Sequence, residues 1–209
     1  MTFTSDVAFT DAVKRVQRER GSRSAYERME RQRGGFAGAI TPEVAAYIAA
    51  RDSAYLATAN AAGQPYVQHR GGPAGFIKVL DARTLAFADF AGNRQYITTG
   101  NLAENDRAFL FLMNYAEAER IKVWGRARVV TDDPELFGAL SDPDYDARIE
   151  QAIVFDVTAW DANCSQHIPK LVHAAQIERK VHALQHRIEY LESTLRAAGV
   201  VFTPEEFAP

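Results

Sequence analysis

Seven short runs rich in β-branched and aromatic residues follow one another between residues 53 and 160. They read "SAYLATAN", "QPYVQHRG", "GFIKVLD", "TLAFADF", "RAFLFLMN", "RIKVWGRARVVT" and "QAIVFDVTAW". Gly, Asn, Asp or Pro separates them, so each reads as a strand bounded by turn chemistry. So many short strands in so little chain restrict the fold to a mainly β barrel or sandwich, and argue against a parallel α/β sheet. The longest run alternates most cleanly. Ile121, Val123, Gly125, Ala127 and Val129 share one face, and Lys122, Trp124, Arg126 and Arg128 share the other. The first is a core face. A tryptophan among cations is poorly suited to bulk water, so the second is expected to meet a ligand or a second subunit.

Helical signals lie around and between these runs. In "TPEVAAYIAARDS", Thr41 is a good N-cap and Pro42 sits at the first helical position, where its missing N–H costs nothing. "DDPELFGAL" repeats the pattern with Asp132 or Asp133 before Pro134, and "AGNRQYITTGNLAEND" inserts a short helix or turn into the sheet. Residues 14–33 hold eight Lys or Arg against three Glu. That segment reads either as an arm that contacts phosphate groups or as a solvated helix with Val13, Val16, Tyr26 and Met29 packed lightly on the body. Near the C-terminus, Ile177, Val181, Leu184, Ile188, Leu191 and Leu195 recur in steps of four and three, ended by Gly199. This heptad-like stripe leaves open whether the helix pairs with its copy or lies across its own barrel. The expected organisation is an N-terminal helical extension (1–40), a barrel domain (41–170) and a C-terminal amphipathic helix and tail (171–209).

Composition excludes several classes. At 209 residues, 47% hydrophobic and a formal net charge of -3, the chain is an ordinary globular protein for which nucleic acid is not the expected partner. Its single cysteine, Cys164, allows no intrachain disulfide and no thiolate zinc site, which fits a reducing cytoplasm. The N-terminus lacks a secretory pattern, and no stretch approaches the roughly 20 apolar residues of a membrane span. The five histidines show no metal-binding spacing, so no metal is expected.

Three segments concentrate polar and cationic groups beside strand ends: "QHRGGPAGFIK", "AGNRQYITTGNL" and "WDANCSQHIPK". Gly71, Gly72 and Gly75 allow close approach of backbone N–H groups to an anion, and Arg70 offers a planar fork suited to phosphate. Asn93 and Arg94 stand at a helix start, where free N–H groups favour negative charge, and Thr98 and Thr99 add hydroxyls. Neither standard nucleotide loop is present. Together the segments point to a phosphorylated cofactor.

The order of short helix, "YLATANAAGQPYV", "GFIKVLDARTLAFADFAGNRQ", "NLAENDRAFLFLM" and "RIKVWGRARVV" resembles the FMN-binding split barrels of the pyridoxamine 5'-phosphate oxidase-like family over about residues 40–170. It is nearest the branch carrying "HRGGPAGF", "GNR" and a late "NCSQHIP". The resemblance implies a mainly β (α+β) split β-barrel with short helices, forming a homodimer with FMN at the subunit interface. Gly92, Asn93, Arg94 and Gln95 match the family's phosphate-gripping glycine-serine-arginine-lysine run, with an amide in place of the lysine. Lys78 lies two positions from the family's phosphate-binding lysine and on the same face. Arg70 is expected to supply the missing charge. Trp124, Asn163, Gln166 and His167 are the candidates nearer the ring. The family's terminal tryptophan-arginine-leucine motif is absent, which argues against pyridoxamine 5'-phosphate as the substrate. The reading is an FMN-dependent oxidoreductase acting on a small molecule in the cytoplasm. Its alternatives are a flavin carrier or sensor without turnover, and a haem-binding split barrel.

Overall fold

The structure, a computed structural model, describes residues 2–162 and 166–200. It divides into two compact units, Met1–Ile168 and Pro169–Pro209. In the first, the seven expected runs become strands β1 (Ser53–Ala59), β2 (Pro65–Gly71), β3 (Ile77–Val79), β4 (Thr84–Phe90), β5 (Arg107–Asn114), β6 (Glu119–Val130) and β7 (Ile149–Ala162). They form one sheet in the order β2-β1-β5-β6-β7-β4-β3, each strand antiparallel to its neighbours. The sheet curls into a half-barrel, the mainly β split-barrel fold expected from the sequence.

Alternation sets which side chains enter it. Leu56 of β1, Leu110 and Leu112 of β5, Ile121 and Val123 of β6, Ile153 and Phe155 of β7 and Phe87 of β4 fill the concave side. The helix α3 (Pro42–Ala49) closes this core with Val44 and Ile48, and the Thr41 hydroxyl accepts from Val44 N–H at 3.4 Å as its cap. Strands β4 and β7 are apolar on both faces because a second cluster, Ala86, Ala88, Ala152 and Val154, packs against Leu140 of α5 (Pro134–Leu140). Asp133 caps α5, accepting from Leu136 N–H at 2.9 Å. A β-bulge interrupts β6 and β7: Trp124 pairs with Ala159 but Gly125 with Val157, which leaves Thr158 over. Gly125 is required there, because a Cβ would stand 2.2 Å from the Asp156 carbonyl oxygen.

The N-terminal extension has a polar anchor as well as an apolar one. Its helices α1 (Asp11–Glu19) and α2 (Arg23–Arg33) leave Val13, Val16 and Tyr26 largely exposed, as the light-packing alternative expects. Between them, however, Arg23 and the 1% exposed Glu30 form a buried ion pair, with Gln17 accepting from Arg23 at 2.9 Å and Ser5 donating to Glu30 at 3.0 Å. Burial works against the Arg23 charge, but the hydrogen bonds it donates to Glu30 and Glu27 outweigh it and hold its pKa above the ordinary value. Beyond α2, Gly35 takes φ +106° and passes so close to Ser5 that a Cβ would meet its backbone nitrogen at 2.6 Å.

A second polar contact closes the start of the chain. Asp6 accepts from the N–H groups of Thr2 and Phe3 at 2.8 and 3.1 Å and from Lys14 at 2.6 Å. The Lys14 hydrogen bond, followed by that from Phe3, lowers its pKa to about 2. A carboxyl with a depressed folded-state pKa stabilises fully above its unfolded value, ~4, and loses that contribution as pH falls through the folded one. Amide exchange at residues 2–9, corrected for intrinsic rates, is therefore expected to accelerate relative to the barrel strands between pH 5 and pH 2. Asp6→Asn should abolish that pH dependence; an unchanged profile in the variant would remove Asp6 as its origin.

Candidate functional site

The inward positions of β2 are polar. Tyr66, Gln68 and Arg70 point to the side where β1 buries Ala54, Leu56 and Thr58, and Arg70 is only 8% exposed. Arg70 finds its partner in Asp89 of β4, although four strands lie between β2 and β4 in the sheet. Curling brings the two strands together, and β3 ends too early to separate them, since it pairs only with Leu85–Phe87. The Gln151 side chain donates to Asp89 at 2.8 Å and to Thr99 at 2.8 Å, extending this floor to the helix α4 (Ile97–Glu104). Thr98 donates to Gln68 at 2.8 Å and Asn101 donates to Thr58 at 3.0 Å, which fixes α4 over β1 and β2.

Above this floor lies a pocket of about 270 Å³. Eight residues singled out in the sequence line it: Arg70, Gly71, Gly92, Asn93, Arg94, Gln95, Thr98 and Thr99. The loop that carries Asn93, Arg94 and Gln95 is unusual, with Arg94 at φ 58° and Tyr96 at φ 52°. Left-handed conformations at residues other than glycine are costly and gather at functional sites. Tyr96 occupies the N-cap position of α4 without a side-chain cap, so the first N–H groups of the helix have no capping side chain, and Tyr96, Thr98 and Thr99 line the pocket. Arg94 is exposed and makes no ion pair or hydrogen bond among the described residues. Tyr96 donates to Glu150 at 2.7 Å; that hydrogen bond, with some burial, raises the Tyr96 pKa and occupies one oxygen of the carboxylate. Among the described residues, the buried side-chain polar atom left without a partner is Nε of Arg70, a residue that also lines this pocket. Buried donors are nearly always satisfied, so an acceptor is missing here.

The other predicted residues fall elsewhere. Lys78 pairs with Ala86 on β4, two residues before the pocket-lining Ala88, and does not itself line the pocket. Trp124 borders a separate pocket of about 640 Å³ with Phe109, Arg107 and Arg126. Its ring stacks on Phe36 of the N-terminal extension, with centroids 5.2 Å apart and planes 10° apart. The cations beside it are paired within the chain: Lys122 with Asp161 at 3.0 Å, Arg126 with Asp106 at 2.5 Å and Arg128 with Asp156 at 2.8 Å. The three cations of β6 are thus balanced, and the face is partly covered by the chain itself. Gln166 and His167 are exposed in a turn after β7, His167 with φ 63°, and Asn163 lies outside the described residues. Sequence reasoning missed Asp89 and Gln151. A lone carboxylate inside the apolar run "TLAFADF" was the available signal, since it demands a partner.

The sequence pattern of the pyridoxamine 5'-phosphate oxidase family matches residues 40–181. The chain belongs to this family. The family match begins at Ile40, so the extension that covers Trp124 lies outside it, whereas the whole pocket at Arg70 and Arg94 lies within it. Solved structures resemble this family member at low identity. An FMN-binding protein from Syntrophomonas wolfei is 14% identical over 75% of this chain and 99% of its own, with a TM-score of 0.48. A pyridoxinephosphate oxidase family protein from Clostridium acetobutylicum, related to general stress protein 26, is 12% identical over 65% and 94%, with a TM-score of 0.44. The FAD binding protein from Mycobacterium smegmatis is 12% identical over 61% and 97%, with a TM-score of 0.41. No curated protein matches the sequence. Among the described residues, no helix is long and apolar enough to cross a membrane.

Proposed function

We propose that this protein is an FMN-dependent oxidoreductase acting on a small molecule, with the flavin at a homodimer interface. The observation that carries the reading is the convergence of Arg94, Arg70 and the uncapped start of α4 on one pocket. This donor set suits a terminal phosphate, which brings two negative charges and three acceptor oxygens. Arg94 and Asn93 hold its outer oxygens, and Thr98 and Thr99 stand at the inner wall. Arg70 is ion-paired with Asp89, which offsets its charge, so it serves as a fixed wall at the ribityl side rather than as a free cation.

Bound there, FMN supplies hydride or electron chemistry, and the protein supplies orientation and electrostatics. A pocket of about 270 Å³ is smaller than the ~300–1,000 Å³ that whole ligands usually occupy, so it takes one end of the cofactor and leaves the ring to other surfaces. That size supports a ring site completed by a second subunit. Gln166, His167 and Asn163 remain the ring-side candidates. Trp124 joins them only if Phe36 gives up its stacking position.

The absorbance spectrum of the purified protein tests the class: oxidised-flavin bands are expected, and a colourless protein that also fails to take up added FMN overturns the reading. A Soret band would assign haem in its place, and bound FMN without turnover by any nicotinamide donor would make the protein a carrier or sensor. Arg94→Ala is expected to weaken FMN binding by about 10- to 100-fold, the worth of a charge-assisted hydrogen bond. Calorimetric titration at fixed ionic strength measures this, and unchanged affinity removes Arg94 from the site.

A further inference from the structure

The helix α6 (Ala174–Ala197) runs for 24 residues, about 36 Å, and buries none of them. Along it Ile177, Val181, Leu184, Ile188, Leu191 and Leu195 stay between 41 and 63% exposed. A continuous apolar stripe of this length is not stable against water, so it demands a partner. We infer that α6 pairs in parallel and in register with the α6 of a second copy of this chain. The inference goes beyond the flavin reading and does not depend on it.

Heptad positions select the occupant. Steps of four and three place Val181, Ile188 and Leu195 at a, and Ile177, Leu184 and Leu191 at d. β-branched residues at a with leucine at d are the combination that favours a parallel two-stranded coiled coil, and Val181 and Ile188 against Leu184 and Leu191 supply it. The flanking charges agree. Glu178, Gln185 and Glu192 fall at e, and Lys180, Arg187 and Thr194 at g. In a parallel pair each g position faces the e position five residues on in its partner, so Arg187 meets Glu192 on both sides and Lys180 meets the neutral Gln185. In an antiparallel pair with the same apolar layers, Glu178 faces Glu192 twice and Arg187 faces Arg187. Like charges therefore oppose that arrangement. Within one helix Glu192 already accepts from Arg196 at 3.1 Å, so its carboxylate is oriented on the helix surface before pairing. The histidines His182 and His186 sit at b and f, away from the seam.

The experiment uses the full chain in a Cys164→Ser background. Leu191→Cys places one thiol at a d position that faces its own copy only in the parallel, in-register pair. Oxidation of the dilute protein is expected to give a disulfide-linked dimer, and Leu184→Cys should give the same. A mixture of Val181→Cys and Leu191→Cys reports the antiparallel pair, in which those two positions meet. Adding Arg187→Glu to Leu191→Cys is expected to slow cross-linking about tenfold, and Arg187→Glu with Glu192→Arg to restore it. The proposal is overturned if neither Leu191→Cys nor Leu184→Cys cross-links, if only the mixture does, or if reversing Arg187 changes nothing. A dimer held by the barrels alone would give the first or the last of these results.

Discussion

Gly125→Ala is expected to lower stability by roughly 3–5 kcal/mol, above the ~1–3 kcal/mol of ordinary overpacking. The added Cβ would lie 2.2 Å from the Asp156 carbonyl oxygen and 2.4 Å from the Phe155 ring. Neither neighbour can yield easily. Asp156 belongs to the β7 backbone at the bulge, and Phe155 is fully buried at the centre of the main core. Relief therefore requires the two longest strands to separate or the bulge to move, and moving it would shift which side chains of β6 face outward. Denaturant unfolding of the variant measures the effect. A midpoint equal to that of the parent protein would mean that the bulge is not as tight as described.

The second large effect belongs to the N-terminal extension. Glu30→Ala leaves Arg23 buried without its principal partner, and breaking such a pair costs about 3–5 kcal/mol. The loss should be local, because the pair ties α1, α2 and Ser5 together and touches no barrel strand. Hydrogen exchange is the suitable readout: residues 3–36 should lose protection while β1 and β5–β7 keep theirs. Replacing both partners by apolar residues, Arg23→Met with Glu30→Leu, should recover most of the loss, since the charge then has no desolvation penalty to offset. A double variant as unstable as Glu30→Ala would show that shape, not charge pairing, dominates at this position.

The features legible in the sequence are those set by neighbours along the chain. Thr41-Pro42 and Asp133-Pro134 mark their helices because capping acts within three residues, and the strands follow from alternation and turn residues. Asn93 and Arg94, expected at a helix start, lie instead in the loop just before it, because α4 begins at Ile97 with Tyr96 as its N-cap. What sequence could not supply is set by curvature and register. Sequence offers Arg70 as a charge for a phosphate but gives no sign of Asp89, which pairs with it because the curled sheet brings β2 back to β4. The partners of Lys122, Arg126 and Arg128 come from neighbouring strands or a turn, so a face that looks cationic in sequence is balanced in space. Lys78 matches the family's lysine in strand and face but sits on a strand of three residues that stops short of the pocket. The Trp124 face was expected to meet a ligand or a second subunit; within this chain it is Phe36, far along the sequence, that stacks on the ring.

The chain has two tryptophans, and both are occupied by the same short stretch after α2. Trp124 stacks on Phe36, while Trp160 donates its backbone N–H to the Ala37 carbonyl and its indole N–H to the Ala39 carbonyl, both at 2.8 Å. Intrinsic fluorescence of this protein is consequently an optical gauge of whether residues 36–39 are seated. An emission change without loss of the far-ultraviolet β signal would record the extension lifting from an intact barrel.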